Sequence, residues 1–230
     1  MKRLAAAALA PFALAGIVAG CAGMGAGAPP RYHVLEAAAS GAPAAPALRG
    51  SVTLLVAPTT AFGIYEMPQI VYSRSAGTRS LYQLNEWAQP PARGIGALLV
   101  ERLAASGAFA TVAAATDGVT GALLLSTQLD EIYHDAATRP GTAVITLSAV
   151  LSDPALRTVV ARHRFSVSAP AASYDAAGAV GAFDRALATL LGEVFEWARQ
   201  AAQEGGATRV TRASPPVEQA RGAVGEAPSR

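Results

Sequence analysis

Alternation of apolar and polar residues predicts three long strands in the second half of the chain. A two-residue period is typical of a strand that lays one face on a core. The segments between the predicted strands contain Arg139-Pro140-Gly141 and Asp153-Pro154, which favour tight antiparallel connections. The alternating apolar positions are Leu123, Leu125 and Leu129, then Ile145, Leu147 and Leu151, and then Phe165 and Val167.

Two segments show the helical period instead. Residues 94–105 place Ile95, Leu98, Leu99 and Leu103 on one face, and Gly107 is a natural C-terminal stop. Residues 175–203 form a longer amphipathic pattern that we expect to cover the sheet. Its apolar stripe is Val180, Phe183, Leu187, Leu190, Leu191, Val194, Trp197 and Ala201.

The first half of the chain predicts shorter strands. Residues 32–36 and 51–57 form two of them, separated by an Ala/Pro/Gly loop over 37–50. Residues 70–73 and 81–84 pair as a hairpin around 75–79. The expected fold class is therefore α+β, a mixed and largely antiparallel sheet with two main helices packed on one face.

The N-terminus has the layout of a secretion signal, with Lys2 and Arg3 before an apolar, alanine-rich run. The run is too short for a membrane span. It ends in Val18-Ala19-Gly20-Cys21, which resembles a lipobox, so we interpret 1–20 as a lipoprotein signal peptide and Cys21 as the lipidated residue. The alternative is an ordinary signal peptide with a chance cysteine.

Lipidation would give Cys21 a diacylglycerol and an N-acyl chain, and we expect no other cofactor. Several acyl chains anchor a protein durably, whereas one binds only marginally. The expected location is therefore the periplasm, on a membrane. Because Ala22, not aspartate, follows the cysteine, the outer membrane is favoured over the inner one.

Composition divides the rest of the chain. Residues 21–30 are rich in glycine, alanine and proline and predict a flexible tether. Residues 31–204 form one domain large enough for a core. Residues 205–230 lack periodicity and predict a disordered C-terminal tail.

Charge excludes several functions. Removal of Lys2 and Arg3 from the 18 basic residues leaves 16, which equals the 16 acidic residues. A neutral surface without a basic cluster argues against nucleic acid binding. Lys2 is the only lysine, so the mature chain has neither a P-loop lysine nor a Schiff-base lysine.

No catalytic or metal-binding pattern is present in the sequence. His33, His134 and His163 lack metal-ligand spacing. Asp130, Glu131 and Asp135 near His134 are interpreted as a solvated strand end, not as an acid/base pair. We therefore expect that the protein is not an enzyme and binds no metal.

An apolar segment is the candidate partner-binding site. Phe62, Ile64, Tyr65 and Met67 lie between turn-prone residues, outside any clear period. Exposed, they form an adhesive surface for a partner or for a second copy. The alternative is that they fold back as an irregular edge strand. Trp87 and Trp197 are interpreted as core residues.

Several short signatures resemble the ABC-type transport auxiliary lipoproteins, the family that contains paraquat-inducible protein C. The resemblance implies a docking accessory of a Mce-type ABC lipid transport system across the envelope, with a Mce-domain protein and an ABC permease and ATPase as its partners. Self-association into a homo-oligomer is a further hypothesis. The alternative function is a lipid carrier that holds one acyl chain between sheet and helices. The matching signatures are Tyr32-His33-Val34-Leu35, Pro68-Gln69-Ile70-Val71-Tyr72, Glu86-Trp87-Ala88-Gln89-Pro90 and Ser106-Gly107-Ala108-Phe109.

Overall fold

The computed structural model describes residues 28–37 and 50–213, and the side chains of these residues up to Glu204. Nine strands and two α-helices follow one another in the described chain. The strands are β1 (Arg31–His33), β2 (Thr53–Val56), β3 (Thr60–Ala61), β4 (Gln69–Ser73), β5 (Ser80–Trp87), β6 (Thr111–Ala114), β7 (Leu123–Asp135), β8 (Thr142–Asp153) and β9 (Thr158–Pro170). The helices are α1 (Pro91–Ala105) and α2 (Ala176–Ala213).

Strand β7 organises the sheet. One of its edges pairs with β8, which in turn pairs with β9, and both ladders are antiparallel, as the two predicted turns require. Its other edge carries β2, β3 and β4 in series, all parallel to it. Because β2, β3 and β4 all pair with the same edge of β7, the sheet is continuous, but its strands do not follow one another in a single row.

The remaining strands extend this arrangement outwards. β6 pairs with β2 in parallel, β5 pairs with β4 as the predicted antiparallel hairpin, and β1 pairs with β5 in parallel. The predicted α+β class with a mixed sheet is confirmed. Strands β3 and β6 were not expected, since segments of two and four residues are too short to show a period.

Both helices pack onto the sheet and contact each other. Helix α1 begins at Pro91, earlier than the expected residue 94, because a proline at the first helical position has its φ already set. It ends at Ala105, as predicted, and Gly107 follows the C-cap residue Ser106 with a positive φ of 65°. The core between helices and sheet contains Trp87, Leu99, Ile145, Leu147, Phe183, Leu187 and Val194.

Helix α2 is longer than the sequence pattern predicts. It continues beyond the expected end at Gln203 to Ala213, so the expected disorder over 205–213 is replaced by helix. Glycine costs a helix about 1 kcal/mol relative to alanine but does not stop it, and the first prolines after Gln203 are Pro215 and Pro216. The expectations for 1–27, for 38–49 and for 214–230 lie outside the described residues.

Candidate partner-binding surface

The apolar segment 62–67 forms a short 3-10 turn between β3 and β4. The turn spans Gly63–Glu66, so the segment is not the irregular edge strand that was the alternative. Phe62 is 64% exposed and Met67 is 37% exposed. Ile64 is half-buried, and Tyr65 packs its ring against the core. Two of the four predicted side chains therefore form the exposed surface, while Tyr65 supports it from below.

Arg79 fixes this turn to the sheet. Its Nε donates a hydrogen bond to the Tyr65 hydroxyl at 2.8 Å, and its Nη2 donates to Glu131 Oε1 on β7 at 2.8 Å. Its guanidinium also lies 3.8 Å from the ring centroid of Tyr133. A planar, permanently charged fork suits such a multiple contact. No pattern in the sequence points to Arg79, which lies at the end of a polar hairpin turn.

A β-bulge explains why Glu131 is available for this contact. The register between β7 and β8 shifts between Leu129 and Glu131, so Asp130 and Glu131 both lie on the face of the sheet away from α2. Asp130 accepts hydrogen bonds from Gln128 Nε2 at 2.9 Å and from Ser148 Oγ at 2.6 Å, and pairs with Arg164 Nε at 3.1 Å. The interpretation as a solvated strand end is wrong for Asp130 and Glu131, which are paired in the middle of β7. Asp135 does lie at the end of β7.

His134 lies on the opposite face and is fully buried. Its Nε2 is 3.1 Å from the carbonyl oxygen of Pro140, which only accepts, so Nε2 carries the proton. Nδ1 then accepts a hydrogen bond from the Tyr82 hydroxyl at 2.8 Å. Burial lowers the pKa of His134, so the imidazole is neutral. Burial also raises the pKa of Tyr82 to about 12.

The other two histidines, His33 and His163, contact residues other than His134. His33 Nε2 lies 3.0 Å from Asn85 Oδ1, and the ring of His163 lies against Phe165 and Trp197. Across the described ranges, no group of three or more His, Cys, Asp or Glu residues is arranged to hold a metal ion. Within the same residues, none of the helices is long and apolar enough to span a membrane.

Arg79 contacts Tyr65, Glu131 and Tyr133 and so holds the 62–67 turn in place. The turn therefore presents its exposed apolar side chains on a fixed backbone. Trp87 is 2% exposed and packs edge-on against Phe183 at a centroid distance of 5.5 Å, as expected for a core residue. Phe62 and Met67 have no such cover. Exposed apolar side chains on a rigid support are typical of an interaction site.

Comparison with known families supports the resemblance drawn from the signatures. The model of the ABC-type transport auxiliary lipoprotein component family matches residues 33–194. The chain belongs to this family. The match includes the 62–67 segment, β7 with its bulge, and the first half of α2.

Solved structures agree with the fold of the family. A Xanthomonas campestris protein described as a DUF330 member is 27% identical, with a TM-score of 0.69 over 76% of this chain and 99% of that chain. An uncharacterised protein is 14% identical, with a TM-score of 0.57 over 73% of this chain and 97% of that chain. No curated protein sequence matches the chain with significance.

Membership gives the general role. The family consists of transport auxiliary lipoproteins, which is not a class of enzyme, and the protein accordingly belongs to the cell envelope in association with a membrane.

Proposed function

We propose that the protein is the lipid-anchored periplasmic component of a Mce-type ABC lipid transport system, which it docks at a membrane, the outer membrane in our preferred assignment. Its partners would be a Mce-domain protein and the ABC permease and ATPase. Cys21 would carry the diacylglycerol and the N-acyl chain. The contact with the partner would be made by Phe62 and Met67.

The observation that carries this proposal is the exposure of Phe62 on a turn that Arg79 holds in place. A side chain of this size that is 64% exposed leaves a large apolar area in water, and burial of apolar area contributes about 25 cal/mol per Å². The Tyr65–Arg79–Glu131 contacts order the turn before any partner binds, which reduces the entropy lost on association.

The anchor is supported by the lipobox pattern and by the family. Several acyl chains on Cys21 would hold the domain at the membrane, because each buried methylene contributes about 0.8 kcal/mol. The domain then presents its surface to the periplasm without free diffusion. An anchor at Cys21 and a contact surface on the domain need no catalytic group, in keeping with a docking component.

Affinity purification from native envelopes tests the proposal. The protein, tagged after Arg230, is solubilised gently, and accompanying proteins are identified by mass spectrometry. We expect a Mce-domain protein and its ABC partners with the parent protein. We expect their loss with Phe62→Ser combined with Met67→Ser, because two polar side chains remove the apolar contact.

The matched control is Leu84→Ser on β5. Leu84 is 44% exposed and lies outside the 62–67 segment, so this variant should retain the partners. Cys21→Ala serves as the unanchored control and should appear in the soluble fraction. Recovery of the protein alone, with bound phospholipid in the same sample, would contradict docking and favour the single-lipid carrier.

A further inference from the structure

Three connections of the chain lie at one end of the sheet. Ser73 of β4 pairs with Asp135 of β7, and Thr142 of β8 pairs with both Asp135 and Pro170 of β9. The β4–β5 turn, the β7–β8 turn and the β9–α2 loop therefore lie at the same end of the sheet. The β8–β9 turn lies at the opposite end, 12 residues away along β8, or about 40 Å.

A row of aromatic rings crosses this end, with an arginine over each terminal ring. Tyr72 and Tyr82 are 4.7 Å apart between centroids, Tyr82 and His134 are 6.3 Å apart, and His134 and Tyr174 are 6.2 Å apart. The Arg74 guanidinium lies 5.0 Å from the Tyr72 centroid, and that of Arg139 lies 4.7 Å from the Tyr174 centroid. We call Arg74, Tyr72, Tyr174 and Arg139 the arginine–tyrosine end.

The two arginines are exposed and face rings, not carboxylates. By contrast, Arg79, Arg164 and Arg199 each form an ion pair with a carboxylate. The neighbouring acids are engaged by backbone groups: Asp135 accepts from the Ala137 N–H, and Asp175 accepts from the Gly178 N–H. Contact with an aromatic face places the guanidinium without neutralising it.

The direction of β1 relates this end to the N-terminal side of the domain. β1 is parallel to β5, and Arg31 pairs with Asn85, five residues after β5 begins at the β4–β5 turn. The described residues before Arg31 therefore lead into β1 from the direction of the arginine–tyrosine end. The ten peptide units from position 21 to position 31 reach about 35 Å at full extension. The opposite end, with the β8–β9 turn, lies in the direction towards which β1 runs.

We propose that the arginine–tyrosine end rests on anionic phospholipid headgroups of the membrane in which Cys21 is anchored. The inference rests on the proposed anchor and adds an orientation to it. Arginine attracts anionic headgroups, and tyrosine is enriched at membrane interfaces because its ring is apolar and its hydroxyl is polar. The domain then stands on this end and presents the β8–β9 turn to the periplasm.

Energy transfer from the lipidated protein to labelled headgroups tests the orientation. The sequence has one cysteine, whose sulfur is blocked by lipidation, so Ala76→Cys in the β4–β5 turn and Ala155→Cys in the β8–β9 turn each add a single reactive thiol. Both positions are exposed. The labelled proteins are reconstituted in phosphatidylcholine vesicles with and without phosphatidylglycerol, and headgroup-labelled lipid is the acceptor.

We expect more transfer from position 76 than from position 155 when phosphatidylglycerol is present. Arg74→Gln with Arg139→Gln should reduce the ratio of docked to undocked domains about twenty-fivefold, since each basic residue at an anionic surface contributes about fivefold. Arg93→Gln with Arg162→Gln removes the same charge from exposed positions outside this end and should leave the ratio within about twofold.

Three results would overturn the inference. Equal transfer from the two positions with the anchor intact, or an unchanged ratio in Arg74→Gln with Arg139→Gln, would overturn the orientation alone. A Cys21 thiol that reacts with the label in the parent protein would overturn the anchor and, with it, the orientation.

Discussion

The Tyr82 hydroxyl donates a hydrogen bond to Nδ1 of His134, and this bond links a side chain of β5 to the buried side of β7. Because Pro140 accepts from Nε2, both nitrogens of a fully buried imidazole are engaged. A buried neutral imidazole with two partners is stable only while it remains neutral.

Stability should therefore fall as the pH is lowered through the ordinary range of histidine titration. Burial lowers the pKa of His134 in the folded protein, whereas in the unfolded chain the pKa is about 6.5. As the pH falls, the unfolded chain binds the proton before the folded protein does. The contribution of neutral His134 to the free energy of unfolding is therefore present above about pH 6.5 and is lost as the pH falls below that value. Urea unfolding between pH 8 and pH 5 measures it, with His134→Asn as the reference that lacks this group. Parallel pH dependences for the two proteins would contradict the assignment.

Tyr82→Phe should destabilise the protein by about 1–3 kcal/mol, the range for a buried acceptor left without a donor. The matched control is Tyr72→Phe, which removes a hydroxyl from the neighbouring ring, 4.7 Å away between centroids, while leaving the bond to His134 in place. Denaturant titration gives the free energy of unfolding for each variant. A Tyr72→Phe loss as large as that of Tyr82→Phe would show that the bond to His134 is not the cause.

Gly141→Ala should be far more costly than Gly77→Ala, although both glycines have a positive φ, of 94° and 74°. A Cβ at position 141 would collide with His134 Nε2 and with the carbonyl oxygen of Asp135, whereas one at position 77 meets nothing within 4 Å. We expect Gly77→Ala to lower the free energy of unfolding by about 1–2 kcal/mol, from backbone conformation alone. Gly141→Ala should lower it by at least about 3 kcal/mol, from conformation and overpacking together. Thermal unfolding of the two variants provides the comparison, and similar melting temperatures would refute it.

Asp130→Ala should cost about 2 kcal/mol and Arg164→Ala less than about 1 kcal/mol, even though the two residues form one ion pair. The side chain of Asp130 is 13% exposed and that of Arg164 is 65% exposed. Loss of the carboxylate leaves Gln128 and Ser148 without their acceptor, while loss of the guanidinium leaves Asp130 with both of its other donors. A double-mutant cycle in urea separates the pair from the network. A larger loss for Arg164→Ala than for Asp130→Ala would reverse this account.

The long elements could be predicted because each repeats its period many times. Strands β7, β8 and β9 have 13, 12 and 13 residues, enough for alternation to show both the strand and its buried face. The helix stop at Gly107 and the turns at Arg139-Pro140-Gly141 and Asp153-Pro154 could also be predicted. Proline restricts the local backbone and glycine widens its range of conformations. The apolar stripe of α2 likewise identified its inner face.

Parallel pairing and long-range contacts could not be predicted in the same way. Nothing in β2 or β3 alone indicates that they follow each other along one edge of β7, because pairing is a property of two distant segments. The candidate surface was found only in outline: the sequence indicates an apolar segment, but the inward position of Tyr65 depends on Arg79, 14 residues later. His134 and Tyr82 are 52 residues apart, and neither carries a local signal of the other.

The attachment of β1 has a mechanical consequence for a tethered protein. Three residues, Arg31–His33, pair with β5, and a backbone hydrogen bond from Ala88 to His33 together with the contact of His33 with Asn85 reinforces them. Tension on the N-terminal chain loads this short ladder first, before any force reaches the long antiparallel strands. The β1–β5 pairing is therefore the first part of the domain to separate under tension. Its separation lengthens the N-terminal tether, while β7, β8, β9 and α2 keep their structure.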